Sequence, residues 1–203
     1  KEFSYLVYPL KQASQGAENK TKDALKAFLK GFLGIDGSEK EPLVEYAIDS
    51  AGKNSEENDA FKWVKNIHRD FNLNRKKSLP ADTPFVPDIG VFAPLFLNLI
   101  RLEPGQALFL GAGILHSYLD GLGIELMGNS DNVIRCALTG KHVDPYELTK
   151  VVRFETADPA VLEPLRDPNG ERVYETPAEE FVLSSIELGE GSVCESRDDR
   201  SVE

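Results

Sequence analysis

The stretch PGQALFLGAGILHSYLDGLGIELMGNSDNVIRCALTGKHVD, residues Pro104 to Asp144, is cut into short apolar runs by recurring turn signals. Pro104-Gly105, Gly111-Ala112-Gly113, Asp120-Gly121-Leu122-Gly123 and Gly128-Asn129-Ser130-Asp131-Asn132 separate runs too short for helices. Closely spaced runs with turns between them predict antiparallel strands of a sandwich or jelly roll. Successive strand residues point to opposite sides. One side therefore receives His116 and Tyr118, then Glu125 and Met127, then Val133, Arg135 and Ala137. The other receives Leu115 and Leu119, then Ile124 and Leu126, then Ile134, Cys136 and Leu138. The polar set is a His, a Tyr, a Glu and an Arg, with no Lys, Thr or Ser filler, which fits a face lining a cavity.

Upstream the period is different. Leu25, Phe28, Leu29, Phe32 and Leu33 fall on one helical face, and Gly34 supplies a stop. Ser38 and Glu41 have capping-box spacing ahead of Leu43, Val44, Ala47, Ile48 and Ala51, a second amphipathic helix. Ser55 is placed to cap a third, with Phe61, Val64, Ile67, His68 and Phe71 on its face and Trp63 off the stripe. His68 reads as a boundary residue of that helix rather than a ligand. Pro80, Pro84 and Pro87 then break the chain into extended segments. Beyond residue 150 the short apolar runs continue more loosely, with a strong turn at Asp167-Pro168-Asn169-Gly170.

Composition limits the partners. Hydrophobic residues make up 41% and charged residues 28% of the 203 residues, the balance of an ordinary globular chain. The net charge of −11 argues against nucleic acid or an anionic membrane surface as partner. An anionic substrate would need cations placed locally in the site. No apolar run reaches the eighteen or so residues of a membrane helix, and no signal peptide is legible at Lys1-Glu2-Phe3. Two distant cysteines, Cys136 and Cys194, give no disulfide framework and point to a reducing, cytoplasmic setting, with Cys136 read as a small buried hydrophobe. The chain starts at Lys1 and its single Met is Met127, so it is expected to be part of a longer product.

The run Gly105-x5-Gly111-x-Gly113-x2-His116 resembles the second cupin motif, whose histidine binds metal, with Gly111 in place of Pro and Asp120 in place of Asn. The longer block resembles the signature of type I mannose-6-phosphate isomerases. It comprises Leu115-His116-Ser117-Tyr118-Leu119, Glu125-Leu126-Met127, Ser130-Asp131-Asn132-Val133-Ile134-Arg135, Leu138-Thr139-Gly140-Lys141 and Asp144. Departures fall at Ser117, Ala137 and Gly140, away from the reactive side chains.

That resemblance implies an α+β, mostly β fold: a cupin jelly roll (an antiparallel β-sandwich or barrel) with an α-helical insertion. It implies an insertion domain at residues 1–78 and part of the catalytic jelly roll at 79–150. Residues 151–203 would form a connection and the start of a second, C-terminal jelly roll. It implies an isomerase of mannose 6-phosphate and fructose 6-phosphate using one zinc ion per complete subunit. In that scheme His116 is a metal ligand and Arg135 the catalytic cation, while Tyr118, Glu125, Asp131 and Lys141 line the substrate pocket. The family's other three ligands come from Gln-x-His-Pro and Lys-Pro-Glu motifs, neither of which occurs in these residues, and are expected upstream. The alternative from another class is a non-catalytic cupin module that binds a sugar or sugar phosphate. Oligomeric state is not legible.

Overall fold

Helices claim the first part of the chain because its apolar residues recur at helical spacing. A computed structural model describes residues 18–54, 58–130, 132–156, 159–168 and 170–193. Helix α1 (Glu18–Leu33) ends where the Gly34 N–H bonds the Lys30 carbonyl. Helix α2 (Gly37–Asn54) starts on Asp36, not on the expected Ser38–Glu41 box. The Asp36 carboxylate accepts from the Ser38 N–H at 2.9 Å and the Ser38 hydroxyl at 2.5 Å, contacts that lower its pKa. With the helix beginning at Gly37, Ser38 already lies in its first turn and cannot cap it.

Helix α3 (Asp59–Ile67) is capped by Asn58, whose side chain accepts from the Ala60 N–H at 2.8 Å. The expected cap, Ser55, lies outside the described residues. The chain runs on through a π-helical turn (His68–Leu73), α4 (Asn74–Ser78) and a 3-10 helix (Ile89–Leu95), with α5 (Pro145–Val151) much later.

These residues fall into two compact units. The first comprises 1–100, 110–123 and 131–158, so far as they are described. Its main core joins Phe28, Phe32, Val44, Ala47, Ile67, Ile89, Val91 and Phe92. Phe28 and Phe32 stack at 5.8 Å, and Phe96 meets both edge-on at 5.3 and 5.2 Å. A second cluster gathers Leu29 of α1, Leu148 of α5 and Phe154. At Gly113 the backbone has φ +84 and its carbonyl accepts from the Arg153 N–H at 2.9 Å. A Cβ there would lie 2.5 Å from the Val151 carbonyl oxygen, so the turn before His116 needs glycine.

The second unit comprises 101–109, 124–130 and 159–203, again as described. Strand β1 (Ala107–Leu108) pairs antiparallel with β2 (Val161–Leu162). A three-stranded sheet has the order β3 (Leu165–Arg166), β4 (Arg172–Tyr174), β5 (Leu183–Ser185), all antiparallel. The Tyr174 hydroxyl donates to the Gly105 carbonyl at 2.7 Å.

Among the described residues the balance differs from the expected mostly-β chain. Helices dominate, strands are two or three residues long, and no closed barrel forms. The stretches 114–119 and 132–138 carry no strand. The physical reason is that a strand exists only through its ladder partner, which periodicity along one segment cannot supply. The face assignment nevertheless holds there except at Ala137, which is half-buried beside Gly90. Leu119 and Leu138 pack on the main core, and Leu115, Ile134 and Cys136 on the second cluster. His116, Tyr118, Val133 and Arg135 are exposed. Ile124 and Leu126, expected on the apolar side, are instead exposed at 81% and 42%. They belong to the second unit, where strands this short do not build a covering layer.

Candidate active site

The site residues of the first unit come from the outward side of segments whose inward side is anchored in core. Leu115 and Leu119 flank His116 and Tyr118, and hold them on the surface with their ring centroids 6.1 Å apart and tilted 69°. His116 Nδ1 sits 3.0 Å from the Ile114 carbonyl oxygen. A carbonyl only accepts, so this contact puts the proton on Nδ1 and the lone pair on Nε2. That tautomer suits a metal bound through Nε2, with Nδ1 steadied by a backbone acceptor.

Tyr118 borders a cleft of about 260 Å³ that also touches Trp63 of α3, Asp70 and Phe71 of the π-helical turn, and Leu138. Trp63, off the helical stripe in the sequence, therefore faces the site segment. Arg135 is exposed between the inward-facing Ile134 and Cys136. Burial and the nearby Asp88 carboxylate push the Cys136 thiol up to about 11, so it is a protonated packing group. Lys141 is exposed, and its backbone N–H donates to Thr139 Oγ1 at 3.1 Å. Glu125 is exposed and belongs to the second unit. Asp131 lies outside the described residues.

His68 lies at the helix boundary, as expected. It sits half-buried at the start of the π-helical turn, with Nδ1 3.4 Å from Asn72 Nδ2. Burial, and then the charge of Lys76, lower its pKa, which keeps the ring neutral as an acceptor for that amide.

Two residues at this site were not singled out from sequence. Asn72 is fully buried, and Asp88 joins it to the Leu138 backbone, three residues after Arg135. A signal existed in Pro87-Asp88-Ile89-Gly90, a capping residue between a breaker and a short helix.

Chemically, an imidazole with Nε2 presented, a phenol, a guanidinium and an ammonium on one unit suit an anionic, oxygen-rich ligand. Among the described residues no group of three or more His, Cys, Asp or Glu side chains could hold a metal. His116 has the chemistry of one ligand of a larger set.

No protein-family model matches the chain. It is 31% identical over 171 residues to the mannose-6-phosphate isomerase of Escherichia coli, covering 83% of this chain and 39% of that protein. It is 30% identical over 201 residues to the mannose-6-phosphate isomerase of Bos taurus, covering 96% of this chain and 46% of that protein. A crystal structure of the apo form of mannose 6-phosphate isomerase from Salmonella typhimurium superposes with a TM-score of 0.63 at 28% identity. That match covers 91% of this chain and 45% of the other. The chain thus spans less than half the length of these relatives.

Proposed function

The chain belongs to the mannose-6-phosphate isomerase family, and from that premise we propose that the protein containing it interconverts mannose 6-phosphate and fructose 6-phosphate. The observation that carries the proposal is that His116, its Nδ1 on the Ile114 carbonyl, and Arg135 both lie on the outward side of the same unit. In this reading His116 is one ligand of a zinc ion completed by residues beyond these 203. Bound zinc would supply Lewis acidity toward the substrate's oxygens.

The chain's own residues do the rest. The reaction moves a proton between C2 and C1 through an enediol, and negative charge gathers on the carbonyl oxygen in the transition state. Arg135 offers a permanent cation with several donors to that charge. Tyr118 orients sugar hydroxyls, and Lys141 offers a compact charge to the phosphate or the sugar. Of the two candidate carboxylates, Glu125 and Asp131, one holds the migrating proton. Residues 1–78 act as a helical insertion, 79–150 as part of a cupin jelly roll, and 151–203 as a connection leading into a second one. The setting is cytoplasmic and reducing. No helix among the described residues is long and apolar enough to cross a membrane.

The test is direct. Protein expressed from the complete coding sequence is assayed for conversion of mannose 6-phosphate to fructose 6-phosphate, alongside its zinc content. Turnover with about one tightly held zinc per chain supports the reading. Sugar-phosphate binding without turnover in metal-replete protein would make it a binding module instead.

A further inference from the structure

The Asn72–Asp88 pair converges on the backbone that carries Arg135. Asn72 Oδ1 accepts from the Asp88 N–H at 2.8 Å, and Asn72 Nδ2 donates to the Asp88 carbonyl at 3.1 Å. Both polar ends of a fully buried side chain are thereby used on one residue. Held this way, Asp88 points its carboxylate in two directions. Oδ1 accepts from the Gly90 N–H at 2.7 Å, capping the 3-10 helix. Oδ2 accepts from the Leu138 N–H at 2.9 Å, fifty residues further on.

The target of that second bond is unusual. Leu138 has φ 53, left-handed backbone that a residue with a side chain adopts only when its surroundings impose it. Gly90 presses on the same place, since a Cβ there would lie 2.6 Å from Ala137 Cβ and 2.7 Å from Leu138 Cγ. A cap of the 3-10 helix needs only the Gly90 bond. The Leu138 bond serves a different end: it holds the chain in an unfavourable turn three residues after Arg135.

We propose that Asp88, oriented by Asn72, is a positioning residue that fixes the backbone presenting Arg135 to the substrate. The proposal rests on Arg135 being the catalytic cation of the isomerase reading. A guanidinium on an exposed, strandless segment gains its aim from backbone anchors, here the packed Ile134 and Cys136 and the Asp88 bond, and misplacement by about 1 Å can cost a hundredfold in rate.

Asp88→Asn tests it in protein expressed from the complete coding sequence. The amide oxygen can keep one of the two N–H groups, but the –NH₂ cannot accept the other. With mannose 6-phosphate, kcat should fall at least tenfold while KM stays within twofold. Hydrogen exchange at the Leu138 amide should accelerate at least tenfold, with helix α1 unchanged. A kcat within twofold of wild type, or equal losses in kcat, α1 protection and zinc content, would overturn the positioning role. Wild-type protein alone gives a second arm: the Leu138 amide should exchange at least tenfold more slowly than an unprotected amide, and unprotected exchange there sinks the proposal whatever the variant does. Inactive wild type with a protected Leu138 would fail the isomerase reading, and the catalytic role of Asp88 with it, while leaving the clamp itself established.

Discussion

The helical part of the first unit and its stretches 114–119 and 132–138 share a core but meet their backbone needs in opposite ways. A helix satisfies its own N–H and C=O groups within the segment, so an apolar stripe is enough to dock it. Phe28 and Phe32 do this for α1, and Val64 and Ile67 for α3. The site-bearing stretches have no such internal closure. They are held by alternate apolar side chains on one side and leave the other side exposed. On the proposed reading, the chemistry therefore sits in segments whose positions depend on the helical core.

The largest effect should follow from removing the side chain proposed to bind zinc. His116→Ala in protein from the complete coding sequence should take bound zinc from about one per chain to a small fraction and abolish turnover. The readout is metal content after dialysis against a weak chelator. Unchanged zinc would detach His116 from the metal.

Next comes stability, where the two kinds of segment should separate cleanly. Phe32→Ala, in the aromatic cluster, should cost about 3–5 kcal/mol in urea unfolding. Ile124→Ala, on a residue 81% exposed, should cost less than about 0.5 kcal/mol. Comparable losses at both positions would mean that Ile124 is covered in the complete protein.

A smaller, kinetic effect should mark the inward side of the Arg135 segment. Raising the Cys136 thiol from 9.0 to about 11 leaves roughly a hundredfold less thiolate, and alkylation by iodoacetamide at pH 8 should slow by about that factor relative to a free thiol. Rapid labelling would place Cys136 outward, reversing the two-sidedness of the segment.

The contrast also explains what could be read in advance. The helical faces were legible because periodicity reports burial locally: Phe28, Phe32, Val44, Ala47, Val64 and Ile67 are all buried where spacing put them. The same logic put His116, Tyr118 and Arg135 outward and Leu115, Ile134 and Cys136 inward. Ladder pairing was not legible, because it depends on partners far away in the chain or outside it. Nor were the caps Asp36 and Asn58, which lost to Ser38 and Ser55 on motif spacing alone. Asn72 and Asp88 escaped because their bonds span sixteen and fifty residues, distances at which no local pattern speaks.

Two adjacent residues test the division of labour most directly. Arg135→Ala, on the outward side, is measured for turnover of mannose 6-phosphate and for its unfolding midpoint, with Ile134→Ala as the inward control. Arg135→Ala should lose about 10²–10³-fold in kcat with an unchanged midpoint, whereas Ile134→Ala should lower the midpoint. Near-normal turnover by Arg135→Ala in an active wild-type background would remove that guanidinium from the chemistry and, with it, the role assigned to the segment's outward side.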